Sequence, residues 1–195
     1  VEFKDRTIEA WTGGRDGKGV IHATRTGYYI YKFIDPNLDL LQNRTSVHHW
    51  VIMRYAEILL SYAEAMNEAY GPTGNVGYRL NAVRALNQVR NRVGVEMPAV
   101  PTAISKEELR EKIRNERRVE LAFEDHRFWD VRRWMIAPET LGAPLRGVEI
   151  TKISDEEFEY KPIEVEKRTF EPKMYLYPIP QADLNTTGWV QNPLW

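Results

Sequence analysis

Glu116, Glu120 and Glu124 stand four residues apart within SKEELREKIRNERRVELAFEDHRFWDVRRW, the stretch from Ser105 to Trp134. On a helix, side chains at that spacing share one face. Two carboxyls held about 5 to 9.5 Å apart can divide acid and base roles in glycoside hydrolysis, and Glu116 with Glu120 could reach that separation. The ladder also has a structural reading. At roughly 100° per residue, Leu109, Ile113 and Phe123 fall on the glutamate face, so the carboxylates enter the apolar side. A buried charge persists only when it is paired and hydrogen-bonded, and like charges at i, i+4 oppose each other. Arg110, Arg114 and Arg118 form a second like-charged ladder, so partners are expected from other elements, with Arg54, Arg127, Arg132 and Arg133 as candidates. Because such pairs are common on helices and catalytic residues sit disproportionately on loops, the structural reading is preferred and no residue is assigned a catalytic role.

Other chemistry finds little support. The four histidines, His22, His48, His49 and His126, include no H-E-x-x-H arrangement. On a strand, the His48-His49 pair would point to opposite faces. With no cysteine there is no thiol nucleophile, disulfide or zinc knuckle, and neither a metal nor a cofactor is expected. Trp11-Thr-Gly-Gly-Arg-Asp-Gly-Lys-Gly19 is glycine-rich without Walker or dinucleotide spacing. It reads either as a mobile surface loop or as a ligand-contacting loop with Trp11 as a stacking platform. The 27 basic and 28 acidic side chains nearly cancel, which argues against recognition of nucleic acid or anionic membrane through net charge. Six Trp and ten Tyr are more than a core of this size needs, and both types suit contact surfaces.

The positioning elements follow from periodicity and caps. A strand is predicted over Gly27–Ile34, with Tyr29 and Tyr31 on one side and Tyr28 on the other. A helix from about Arg54 to Tyr70 carries Ala56, Leu59, Tyr62, Ala63 and Met66 at helical period, and Gly71-Pro72 stops it. A second runs from about Gly77 to Val93, with Gly94 as its cap. Together they form a hairpin with the large/small rhythm of one degenerate tetratricopeptide repeat. Ser105 and Glu108 form a capping box for a long helix, which breaks or bends around Glu124–Arg127. Beyond Pro138 the chain is proline-rich. Short strands are predicted at Gly147–Ile153 and Lys173–Tyr177, and Tyr175, Tyr177, Ile179, Trp189 and Trp195 are available to tie the tail down. The fold class is therefore mainly α, a degenerate tetratricopeptide-like hairpin plus a long helix, with irregular and short-strand segments packed on it.

Four segments in order, RYAEILLSYAEAMNEA (54–69), ALNQVRNRVGV (85–95), ELREKIRNERRVELAFEDHRFWDVRRW (108–134) and YPIPQADLN followed by QNPLW, resemble the C-terminal half of the SusD/RagB family. The strand segment TGYYIYKFID resembles the one preceding that helix in the family. The resemblance implies a surface-exposed outer-membrane lipoprotein of Gram-negative bacteria. Such a protein captures an oligosaccharide, or sometimes a peptide, for a TonB-dependent, SusC-like transporter, and it is a binder without enzymatic activity. It also implies that residues 1–195 are one C-terminal region of a longer protein, whose N-terminal repeat half and membrane anchor lie upstream. Sugar recognition would use aromatic rings with Arg, Asn or Asp as hydrogen-bonding partners. The expected ligand-binding residues are Trp11, Arg15 and Asp16 in the glycine-rich loop, Tyr28 or Tyr29, and Trp50. The alternative is a protein-interaction scaffold without a small-molecule site.

Overall fold

A computed structural model describes residues 2–3 and 6–195. The chain divides into two compact units: one takes the residues up to His48 together with Val131–Trp195, and the other is His49–Asp130. Six α-helices and four short strands make the described residues mainly α. None of those helices is long and apolar enough to cross a membrane.

The His49–Asp130 unit is a helical hairpin with a third helix across it. In α1 (Tyr55–Tyr70), Leu59, Leu60, Ala63 and Met66 face inward, and the helix stops at Gly71, whose φ of 75° suits glycine. In α2 (Ala82–Arg90), Val83, Ala85, Leu86 and Val89 are buried. This helix is shorter than the sequence predicts, because Asn81 is its N-cap and accepts from the Arg84 amide. In α3 (Lys106–Glu120), the capping box of Ser105 and Glu108 is present, and Leu109 and Ile113 complete the core. Polar side chains fix the connections: Asn67 Nδ2 donates to the Lys106 carbonyl at 2.9 Å, and the Asn87 amide group bonds both backbone groups of Val100.

The long helix ends at Glu120, and α4 (His126–Arg133) starts after a break in which Phe123 and Asp125 take φ of 63° and 62°. The expectation that Phe123 continues the apolar face of α3 is therefore corrected. A left-handed residue cannot extend the helical phase, and the Phe123 ring turns outward, 64% exposed.

In the other unit, β1 (Glu2–Phe3) and β2 (Arg6–Thr7) pair antiparallel, and α5 (Ala137–Thr140) precedes the hairpin of β3 (Leu145–Lys152) and β4 (Phe158–Glu166). The Val148 amide donates to Thr26 O at 2.8 Å, away from β4. Pro162 lies opposite Val148 and so removes no ladder bond. The strand predicted over Gly27–Ile34 is not a ladder: the chain turns at Tyr31–Ile34 with Phe33 at φ 66°, and β-prone residues without a paired neighbour remain irregular. Likewise, Pro172–Tyr175 is a 3-10 turn rather than a strand. The tail is tied by Trp195 Nε1 donating to Lys173 O and Leu176 O, by Tyr175 Oη accepting from the Ala137 amide, and by Arg132 over Phe170 and Tyr177. Helix α6 (Gln181–Thr187) lies within this tail, and Trp189 beyond it is left exposed.

Candidate functional site

The glycine-rich loop folds back on Trp11. Cβ atoms at Gly14 and Gly17 would stand 2.5 Å from Glu9 O and 1.9 Å from Trp11 O, so only glycine lets the chain pass there. Successive turns bond Gly14 N to Trp11 O at 2.9 Å and Gly17 N to Gly14 O at 3.0 Å, while Thr12 N donates to Ile150 O of β3 at 2.8 Å. The half-buried Trp11 ring lies 5.5 Å from Phe158, with the Lys152 amine 5.1 Å from its centroid.

Around this ring the polar residues have distinct roles. The Asp16 carboxylate accepts both guanidinium nitrogens of Arg6 at 2.6 and 2.7 Å and the Glu9 amide at 3.0 Å. The Arg6 hydrogen bonds hold it well below the usual carboxylate range. Tyr29 Oη donates to Asp16 O at 2.6 Å and accepts from the Thr24 amide. Asp16 and Tyr29 thus use their polar atoms to shape the loop. Arg15 holds Glu9 through its backbone amide at 3.1 Å and leaves its guanidinium largely in solvent. Trp11, Arg15, Asp16 and Tyr29 are brought together. Tyr28 follows Gly27 beside β3 with its ring 65% exposed, and Trp50, 69% exposed, belongs to the His49–Asp130 unit.

The acidic ladder resolves into an ion network within the helical unit. Arg54, at the N-terminus of α1, donates to both Glu124 oxygens at 2.7 and 2.9 Å, to Glu120 Oε1 at 2.6 Å and to the Glu120 carbonyl at 2.7 Å. Arg92 takes the other Glu120 oxygen at 2.8 Å, and Arg90 bonds Glu116. Burial pushes the Glu120 carboxyl up, but the hydrogen bonds from Arg54 and Arg92 outweigh it and the net shift is downward. Held ionised between Arg54 and Arg92, Glu120 serves the ion network and is a poor proton donor.

Arg54 fills the expected partner role. Arg127 does not pair with the ladder, whereas Arg90, the last residue of α2, and Arg92 just beyond it do. The second ladder is served by Glu68, which pairs with Arg110 at 2.6 Å, and by Glu111 of α3 itself, which pairs with Arg114 at 3.1 Å. Arg117, inside the helix bundle, forms a two-point pair with Asp130 at 2.9 and 3.2 Å, each side chain 5% exposed. Among the described residues no group of His, Asp and Glu gathers as a metal site.

One feature was missed from sequence. At the break between α3 and α4, an open pocket of about 480 Å³ is lined by Leu121, Phe123, Asp125, Arg127, Phe128 and Trp129. Trp129 meets Phe128 edge-on at 5.0 Å and stays 61% exposed. The signal available was the predicted helix break amid four aromatic or basic residues, Phe123, Arg127, Phe128 and Trp129.

The helical hairpin, the long capped helix and the β-hairpin behind the glycine-rich loop recur in known proteins. The chain is 38% identical to a SusD-like protein from Bacteroides fragilis, whose crystal structure superposes with a TM-score of 0.71 over 89% of this chain and 31% of that one. A SusD homolog from Bacteroides thetaiotaomicron is 26% identical with a TM-score of 0.51, covering 80% of this chain and 31% of its own. Among curated proteins, SusD-like protein P2 of Formosa agariphila is 34% identical over 120 residues, 59% of this chain and 22% of that protein. SusD-like protein P38 of the same organism is 35% identical over 104 residues, 50% of this chain and 19% of that protein. The chain thus spans about a fifth of the length of these curated relatives. The model of the SusD family matches residues 5–195, and the chain belongs to that family.

Proposed function

We propose that this chain serves non-catalytic capture of an oligosaccharide at the cell surface, as the C-terminal region of a longer outer-membrane protein that delivers its ligand to a TonB-dependent, SusC-like transporter. The observation that carries this reading is the family match over residues 5–195. The loop geometry is compatible with it. Trp11 offers an aromatic face beside the Lys152 amine, Tyr28 offers a second, exposed ring, and Arg15 offers a largely exposed guanidinium that touches Glu9 only at 3.9 Å. Pyranose rings stack their apolar faces on such rings while charged side chains bond the hydroxyls. In this scheme Asp16 and Tyr29 position the loop, and Trp50, in the His49–Asp130 unit, supplies a further stacking residue.

The test is calorimetry against a panel of oligosaccharides, with the sugars followed for cleavage and Tyr28→Ala, Trp11→Ala and Trp50→Ala as variants. Binding without hydrolysis, weakened about tenfold or more by loss of a stacking ring, is the expected result. Because Trp11 also packs on Phe158, its variant is read alongside a thermal melt. Hydrolysis, or full affinity in all three variants, would reject the assignment. A second reading, peptide capture or a protein-interaction scaffold, is favoured by one observation: Trp50, Ile52, Met53 and Tyr55 are all solvent-exposed in a short run. Silence across the glycan panel would move the weight to it.

A further inference from the structure

The pocket at the junction of α3 and α4 combines features that a core does not need. Phe123 is held at φ 63° with its ring mostly in solvent. A bulky residue in the left-handed region costs about 1 to 3 kcal/mol and marks a place where function is to be sought. Trp129, another lining residue, is similarly exposed and is braced by Phe128.

The same pocket is lined by Arg127, half-buried, with no hydrogen bond or salt bridge to any described residue. Its nearest electrostatic partners do not neutralise it. Asp130 is already taken in a two-point pair by Arg117, and Arg118 repels it. Desolvation, followed by that repulsion, lowers its pKa from the usual arginine value, although a guanidinium stays charged at any physiological pH. The helical unit pairs Arg54, Arg90, Arg92, Arg110 and Arg117 with carboxylates; Arg79, Arg84 and Arg118, which lack a carboxylate pair among the described residues, are exposed, whereas Arg127 is half-buried. A half-desolvated cation without a counter-ion is stabilised by an incoming anion, and a planar guanidinium favours two-oxygen groups. Asp125, exposed at the rim, disfavours a bare anion but accepts hydrogen bonds from hydroxyls.

We infer that this pocket binds an acidic sugar residue of the uronic-acid class, its carboxylate on Arg127, its ring against Trp129 and Phe123, and a hydroxyl on Asp125. The inference rests on the capture reading above and adds to it a charge requirement at a second, separate position.

It is tested by calorimetry on the whole chain with an oligosaccharide containing glucuronic acid and with the same oligosaccharide after carboxyl reduction. The unmodified chain should bind the acidic form at least tenfold more tightly, about 1.4 kcal/mol. Arg127→Gln should abolish that preference. Phe123→Gly, which keeps the backbone geometry while removing the ring, should weaken the acidic form several-fold. Equal affinity for the two forms, with neutral glycans still bound, would overturn the inference and leave glycan capture standing. Absence of binding to every glycan would overturn both. A preference that survives in a folded Arg127→Gln chain would place the acid group elsewhere and also overturn it. If Arg127→Gln does not fold, the acidic-to-reduced ratio in the unmodified chain and the Phe123→Gly result decide the matter.

Discussion

At the scale of single residues, Arg54 joins the start of α1 to the end of α3. It neutralises Glu120 and Glu124 and caps the carbonyl at the end of α3, an otherwise orphaned acceptor. Burial alone would lower its pKa, but the hydrogen bonds it donates to both glutamates raise it instead. Removing one partner of a buried pair leaves an uncompensated charge and costs about 3 to 5 kcal/mol. Arg54→Ala should fall near that range in urea denaturation, and Arg54→Lys should recover only part of the loss because a point ammonium cannot serve two carboxylates and a carbonyl in one fork. Glu120→Gln in the Arg54→Ala background should cost less than in the intact chain, since its interaction with Arg54 has already gone and the one with Arg92 remains to be lost. A cost below about 1 kcal/mol for Arg54→Ala would show the network to be surface-like.

At the scale of elements, the glycine-rich loop is built by close backbone approach. Its turns bond to one another, to Glu9 and to β3, and Arg6 clamps Asp16. Gly17 is the tightest point, where a methyl group would meet the Trp11 carbonyl. A residue that the native backbone cannot accommodate destabilises by more than about 1 kcal/mol. Gly17→Ala should therefore lower the thermal midpoint and shift the fluorescence of Trp11. If the loop is the glycan platform, the same change should weaken binding without touching any ligand-facing atom. An unchanged midpoint and spectrum would mean that the loop relaxes freely around the added carbon.

For the whole molecule, acid is the informative variable. Five carboxylates, Asp16, Glu68, Glu108, Glu120 and Asp155, have pKa values lowered in the folded chain from reference values of 3.8 or 4.5. A depressed folded pKa contributes stability that is present above the unfolded value and lost as pH falls through the folded one. The urea midpoint should thus hold between pH 7 and about 5 and decline steadily below the unfolded carboxylate values near 4. Glu120→Gln should flatten part of that decline, because its partners Arg54 and Arg92 stay charged throughout. A midpoint that rises on acidification would contradict the assigned shifts.

Local signals in the chain were sufficient for local features. The Ser105–Glu108 capping box, the stop of α1 at Gly71 and the break before His126 were all legible, because each depends on groups within a few residues. The segments resembling SusD/RagB proteins likewise stood in the linear order, and the family match over residues 5–195 bears that resemblance out. That the acidic ladder needs arginines followed from burying like charges, and Arg54 was among the candidates, but Arg90 and Arg92 were not. They come from 26 and 28 residues away, positioned once α2 and α3 have both packed on α1. The aromatic run after Gly27 had strand propensity but no ladder partner, while β4, with its charges and Pro162, found one in β3. The outward turn of Phe123 and the unmatched charge of Arg127 likewise arose where α3 ended. Caps and periodicity act through neighbouring atoms along the chain and can be read from it, whereas ion pairing, strand pairing and pockets depend on distances that exist only once the helices and hairpin have packed.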